Sequence, residues 1–132
     1  MDEITKVVIE VKDWKVIRKL NPNNSNHRME QYRAKKEQEE QILAYYHEIH
    51  WTLRPEQPWE KAHLKVTFMP DRESPGRGRD LDNLIASIKG AIDGLIGVLI
   101  LDDSAKRLTQ EHYYQVDREN GPKIIYEYTK VE

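Results

Sequence analysis

Two pairs of carboxylates are the residues in this sequence best suited to chemistry. Asp80 and Asp82 stand two residues apart at the expected start of a helix, and Asp102 and Asp103 follow an apolar run about twenty residues later. Carboxylate oxygens are the ligands that a hard divalent cation prefers. If the two pairs converge, three or four like charges lie together, and a bound cation would relieve their repulsion. The acids therefore point to a metal site.

Each acidic pair also has a purely structural interpretation. A carboxylate at the start of a helix accepts hydrogen bonds from unpaired N–H groups and interacts favourably with the helix dipole, so Asp80 or Asp82 could be a cap. Asp102 and Asp103 precede Ser104, a composition typical of a surface turn with the serine as cap. Metal binding and capping both remain open from the residues alone.

Basic residues accompany the acids in the sequence. On a continuous helix Asp82, Ala86, Lys89 and Asp93 share one stripe, with Lys89 about 10 Å along the axis from Asp82. Lys89 is then either a solvated charge or a contact to phosphate. The other nearby cations are Arg72, Arg77, Arg79, Lys106 and Arg107. Acids that hold a metal beside guanidinium groups that hold phosphate are what phosphodiester hydrolysis requires; a solvated polar loop is the alternative for the arginines.

Hydrophobic periodicity predicts the elements that position these residues. Alternating apolar residues predict strands over Ile4–Lys12 and Ala62–Phe68. Between them, Asn21–Asn26 predicts an exposed loop. His27–Trp51 contains neither Pro nor Gly and predicts a helix. Its apolar stripe is clear in the second half alone, so we expect the first half to project into solvent.

The second half of the chain predicts one more helix and two more strands. The helix begins at Asp80 and has Gly97 as its C-cap. Strands over Leu108–Val116 and Lys123–Val131 are predicted to form a closing hairpin around Asn120-Gly121. The order strand, helix, strand, helix, strand, strand predicts a single α+β domain over residues 1–132, with two main helices packed on a small mixed sheet.

Composition excludes several classes of protein. Of 132 residues, 21 are Lys or Arg and 23 are Asp or Glu, so the formal net charge of −2 excludes histone-like binding through bulk charge but leaves room for a local basic patch. The chain has no Cys, which excludes disulfides, Cys-ligated zinc and a thiol nucleophile. The longest apolar run, Leu95–Leu101, is too short for a signal sequence or a membrane span. We therefore expect a cytoplasmic protein that does not bind membranes.

Around its acids the sequence resembles the RusA family of Holliday-junction resolvases, found in bacteria and prophages. The resemblance is strongest over residues 68–105, and its motifs are Arg79-Asp80-Leu81-Asp82-Asn83-Leu84, Lys89-Gly-Ala-Ile-Asp93-Gly-Leu and Leu101-Asp102-Asp103-Ser104. It implies a small homodimeric α+β endonuclease of DNA recombination and repair. Such an enzyme uses Mg²⁺ to cut four-way DNA junctions by paired, symmetric hydrolysis of phosphodiesters.

The resemblance also implies roles for individual residues. Asp80, Asp82 and Asp103 match the essential acids of the family and would bind Mg²⁺. Lys89 matches its helix lysine, although in some members that lysine follows the second Asp by about one turn and here by about two. It would stabilise charge on the scissile phosphate or orient the attacking water. The DNA backbone would be held by Arg72, Arg77, Arg79, Lys106 and Arg107.

Two other functions are open from the sequence. A non-catalytic DNA-binding phage accessory module could keep the acidic pairs for folding alone. A Mg²⁺-dependent nucleotide pyrophosphatase could use the same acids on a nucleoside triphosphate.

Overall fold

A computed structural model of the chain describes residues 3–20, 28–72 and 81–132. The strands and helices within these ranges are, in chain order, β1 (Lys6–Val11), α1 (Lys15–Leu20), α2 (Arg28–Glu48), β2 (Ala62–Met69), α3 (Leu81–Ala86), α4 (Lys89–Asp93), β3 (Leu108–Tyr114) and β4 (Lys123–Lys130). A short 3₁₀ turn, Trp51–Leu53, follows α2. The predicted loop over Asn21–Asn26 lies outside the described residues, as do Arg77, Arg79 and Asp80.

The strands form one mixed sheet in the order β1-β4-β2-β3. In it β4 runs antiparallel to both β1 and β2, whereas β2 and β3 are parallel. Alternate residues of β1, β2 and β4 are buried, and they form one core with the apolar residues of the helices. This confirms the predicted α+β class and the inward faces of the first two strands. Helix α1, which packs against α2, was not predicted.

The predicted closing hairpin is wrong, because β2 lies between β3 and β4. The chain has to cross the end of β2 on its way from β3 to β4. There the Asp117 N–H donates to the Pro70 carbonyl at 2.8 Å. A Cβ added at Gly121 would lie 2.6 Å from the Asp117 carbonyl oxygen and 2.8 Å from the Asp71 nitrogen. Gly121 is therefore needed for a close approach between backbones, not for a hairpin turn.

The predicted second helix is two short helices, α3 and α4, separated at Ser87 and Ile88. The side-chain amide of Gln38, from α2, enters the break. Its Nε2 donates to the Ser87 carbonyl at 2.9 Å, and its Oε1 accepts from the Ala91 N–H at 3.1 Å. In a continuous helix these two backbone groups would bond to each other. Gln38 is only 2% exposed, and its burial is tolerated because both ends of the amide have partners.

Contrary to expectation, the first half of α2 does not simply project into solvent. Its buried residues continue the stripe of the second half at four-residue spacing: Ala34, Gln38, Ile42 and Tyr46. The stripe packs against α4 at glycines. A Cβ added at Gly94 would lie 2.7 Å from Ile42 Cγ2 and 2.8 Å from the Glu39 carbonyl oxygen. Glycine thus allows the two helices to approach closely enough to bury weakly apolar side chains.

The end of α4 also differs from the prediction in detail. Gly94 is the C-cap and has right-handed helical dihedrals. Gly97 does have the positive φ, 83°, that its predicted role required, but it lies in the turn beyond α4, where its N–H donates to the Ile100 carbonyl at 2.7 Å. Among the described residues, no helix is both long enough and apolar enough to cross a lipid bilayer.

Candidate active site

Lys89 and Asp103 meet at the surface although 14 residues separate them in the chain. Lys89 is the first residue of α4, and its ammonium group donates a hydrogen bond to the Asp103 carboxylate. Asp103 lies in the turn between α4 and β3. A backbone hydrogen bond fixes the start of that turn, since the Leu101 N–H donates to the Trp59 carbonyl at 3.0 Å. The side chain of Lys89 remains 57% exposed and that of Asp103 27%, so both can reach a ligand.

Asp93 extends this contact into a row of alternating charges that we call the charge row: Lys35, Asp93, Lys89 and Asp103. The Lys35 Nζ lies 2.9 Å from one Asp93 oxygen, and the Lys89 Nζ lies 3.2 Å from the other. The sequence placed Asp93 on the stripe of Lys89 but assigned it no role, although the spacing of four residues was a signal. No feature of the sequence indicated that Lys35 contacts Asp93, because that contact depends on how α2 packs against α4.

The charge row shifts the pKa values of two of its members. The hydrogen bond to Asp103 raises the pKa of Lys89, and Asp93 adds to this against the opposing effect of burial. Burial by itself would raise the pKa of Asp93, but the hydrogen bonds from Lys35 and Lys89 outweigh it and lower that pKa. Lys89 is therefore a cation at neutral pH. It can stabilise negative charge, but it cannot act as a general base there.

Asp93→Asn is expected to lower the free energy of unfolding by about 1 kcal/mol at neutral pH, because the lost carboxylate binds two partly exposed ammonium groups. Folding lowers the pKa of Asp93, so its stabilisation is complete above the ordinary carboxyl pKa and is lost as the pH falls through the lower, folded-state pKa. Urea unfolding of both proteins from neutral to acid pH should therefore show the difference shrinking. A difference that does not change with pH would contradict this account.

The two acids of the pair Asp102-Asp103 do different things. The Asp102 carboxylate turns back on its own loop, where it accepts the Ser104 N–H at 2.6 Å and lies 3.9 Å from the Arg107 Nε. This agrees with the predicted surface turn, although the capping side chain is that of Asp102, where the sequence suggested Ser104. Asp103 points to Lys89 instead, which leaves it as the acid of the pair that faces the candidate site.

Asp82 lies exposed in the first turn of α3, and Asp80 lies outside the described residues. Because α3 ends before Lys89, the predicted continuous stripe from Asp82 to Lys89 is wrong; Asp82 and Ala86 lie on α3, whereas Lys89 and Asp93 lie on α4. Within the described ranges, no three His, Asp or Glu side chains are close enough together to hold a metal ion. A site of three carboxylates would therefore need at least one acid from outside these ranges, where Asp80 lies.

The donor chemistry of the two described acids nevertheless suits Mg²⁺. Asp82 and Asp103 both offer carboxylate oxygens that solvent can reach. Mg²⁺ keeps several of its waters and is commonly held by one or two protein carboxylates together with phosphate oxygens of the substrate. By ligand type and number, these two acids fit that ion.

The predicted DNA-binding cations do not form a single cluster among the described residues. Arg72 follows the C-terminal end of β2. Arg107 donates to the Glu60 carbonyl at 3.3 Å, just before β2 begins, and the exposed Lys106 precedes it. β2 has 8 residues, so roughly 26 Å of strand separates the two ends. Lys106 and Arg107 belong to the turn of Asp103, whereas Arg72 borders the segment that contains Arg77 and Arg79.

The sequence was compared with protein-family models and with curated proteins. The chain matches no protein-family model, and no curated protein matches it either. The resemblance to the RusA family therefore stays a prediction that depends on the motifs around Asp82, Lys89 and Asp103.

Proposed function

We propose that the chain is a Mg²⁺-dependent endodeoxyribonuclease that resolves four-way DNA junctions, as its resemblance to the RusA family predicts. The observation that supports this most is the contact between Lys89 and Asp103. It brings a cation and an acid from two separate motifs to one exposed surface. An acid for metal binding beside a cation for phosphate is the minimum that phosphodiester hydrolysis needs.

In this proposal the acids and the lysine divide the work. Asp80, Asp82 and Asp103 would hold Mg²⁺, which when bound would supply a Lewis acid for the scissile phosphate and a more acidic attacking water. Lys89 stays protonated because Asp103 and Asp93 raise its pKa, and its charge stabilises the negative charge that develops on the phosphate. Asp93 positions Lys89, since it holds the ammonium group from the same helix.

Paired cuts require two active sites, and a four-way junction has approximate two-fold symmetry. We therefore propose that the working form is a homodimer with one acidic site per subunit. With a net charge of −2, the chain must bind DNA through local groups of cations, so its affinity should depend steeply on salt. A cytoplasmic role in DNA recombination or repair, in a bacterium or a prophage, is part of the same proposal.

One experiment separates this function from the two others that the sequence leaves open. The purified full chain is incubated, with and without Mg²⁺, with a labelled four-way junction, a linear duplex of the same sequence and a nucleoside triphosphate. We expect Mg²⁺-dependent, symmetric nicks in the junction alone. Junction binding without cleavage would point to the accessory module, and hydrolysis of the triphosphate alone would point to the pyrophosphatase.

Lys106→Ala is expected to lower the slope of log affinity for the junction against log salt by roughly one, because Lys106 lies exposed beside Asp103 and would contact one phosphate. The matched control is Lys65→Ala. Lys65 also carries one positive charge, but it lies on the face of the sheet opposite to the helices. Its substitution should therefore leave the slope unchanged. Equal slopes for Lys106→Ala and wild type in a salt titration would remove Lys106 from the DNA interface.

A further inference from the structure

Among the described residues, the backbone groups on the outer edge of β1 have no partner strand. β1 is an edge strand, and no other strand of the described residues pairs with its second side. The Lys130 N–H donates to the Thr5 carbonyl at 2.8 Å, so Thr5 directs its backbone groups to β4. Because hydrogen-bonding direction alternates along a strand, Val7, Ile9 and Val11 point their N–H and C=O groups to β4. Lys6, Val8 and Glu10 point theirs away from it.

The side chains on this edge are exposed as well. Lys6, Val8 and Glu10 lie on the face of the sheet opposite to the core, and Val8 is 47% exposed. A groove of about 470 Å³ runs between the edge and α2, with Ala44, Tyr45 and others as its lining. Access to the strand edge is therefore open. An edge of this kind is a template for pairing with another strand.

The charges on the edge are complementary to those of a second copy of the same strand. In an antiparallel pair centred on Val8, Val8 faces the Val8 of the second copy, Lys6 faces its Glu10, and Glu10 faces its Lys6. Centring on Lys6 or Glu10 would place like charges opposite each other, and a parallel pair would align Lys6 with Lys6. Only the register centred on Val8 satisfies both charges and the backbone groups, through roughly six inter-strand hydrogen bonds.

Contacts within each chain would extend this pairing. Lys6 Nζ lies 3.5 Å from Glu127 on β4, and Glu10 lies 4.0 Å from the Lys123 Nζ on the same strand. Across the new pair the charges alternate: Glu127 and Lys6 of one chain, then Glu10 and Lys123 of the other. A network of alternating charges favours association more than an isolated surface pair does.

From this self-complementarity we infer that two copies of the chain associate through β1 in antiparallel register about Val8, so that their two four-stranded sheets join into one continuous sheet. The interface is isologous and two-fold. Because each β1 has a single free edge, association through it ends at the dimer. The inference depends on the edge geometry and on its charges. It does not require the proposed nuclease activity, although it would supply the dimer which that activity calls for.

Charge reversal tests the register. Lys6→Glu and Glu10→Lys are made separately, and each is expected to raise the dimer dissociation constant roughly tenfold or more in sedimentation equilibrium, because each places like charges opposite each other twice. An equimolar mixture of the two variants should restore association, since one variant then has acids at both positions and the other has lysines at both. The control is Lys65→Glu, which reverses a charge on the same face but on β2, whose two edges are both paired; it should dimerise like wild type.

A second measurement keeps the native charges. The chain contains no Cys, so Val8→Cys allows a single spin label per subunit. The two Cα atoms at the centre of the pair would lie about 5.5 Å apart, and we expect strong dipolar broadening that disappears on dilution with unlabelled protein. The inference is overturned if the wild type is monomeric even at high micromolar concentrations, if the mixture of charge variants stays monomeric, or if the labels at position 8 of a dimer do not interact.

Discussion

Asp103→Asn is expected to lower the rate of junction cleavage at least about 100-fold, while the fold and the affinity for the junction persist. Asn keeps the size of the side chain and can still accept the hydrogen bond from Lys89, but it lacks the charge that a metal ligand needs. Stability should change little, because the lost ion pair is exposed. Without Mg²⁺, removing a negative charge cannot weaken attraction to phosphate, so binding measured in metal-free buffer should remain. Gel-shift and single-turnover cleavage assays on one preparation measure both quantities.

The neighbouring acid supplies the matched control for this prediction. Asp102→Asn makes the same change of charge one residue away and can keep the hydrogen bond from the Ser104 N–H. Because Asp102 faces its own turn, we expect its variant to cleave within a few-fold of the wild-type rate. Two results would contradict the role of Asp103: normal cleavage by Asp103→Asn, or equal loss in both variants.

The strands and the fold class were predictable because burial of one face of a sheet makes apolar and polar residues alternate along each strand. Val7, Ile9 and Val11 alternate with charged or exposed residues in β1, and Leu64, Val66 and the other inward residues of β2 do the same. Pairing is a different matter. The Asn120-Gly121 signal is local, whereas the placement of β2 between β3 and β4 depends on contacts far apart in the chain, and such contacts leave no local pattern.

Of the candidate site, the sequence predicted that Lys89 and an acid of the second pair belong together, because both fall in motifs that suggested phosphodiester chemistry. The residue types alone did not distinguish Asp102 from Asp103, since the difference is the direction of each carboxylate in one turn; the resemblance to the RusA family assigned the role to Asp103. The contact of Lys35 with Asp93 and the break between α3 and α4 were also missed. Both depend on α2 lying close to α4, which two glycines, Gly90 and Gly94, allow without any hydrophobic signal.

Gln38→Met is expected to lower the free energy of unfolding by about 1–3 kcal/mol, because that is the cost of a buried backbone group without a partner and the variant leaves the Ser87 carbonyl in that state. The side chain keeps nearly its length, but the Ser87 carbonyl loses the donor that reaches it in the break, and the Ala91 N–H loses one of its two acceptors. Urea unfolding followed by circular dichroism gives the difference directly.

The control for this prediction comes from the same helix. Gln41→Met makes the same exchange at a half-buried position whose amide contacts the Asp13 carboxylate at 3.2 Å. That carboxylate is within reach of water, so we expect a loss below about 1 kcal/mol. If the two variants lose the same free energy of unfolding, the hydrogen bonds of the Gln38 amide do not stabilise the fold. If Gln38→Met alone is strongly destabilised, the break between α3 and α4 is maintained by α2, and the position of Lys89 relative to Asp82 depends on a residue that touches neither of them.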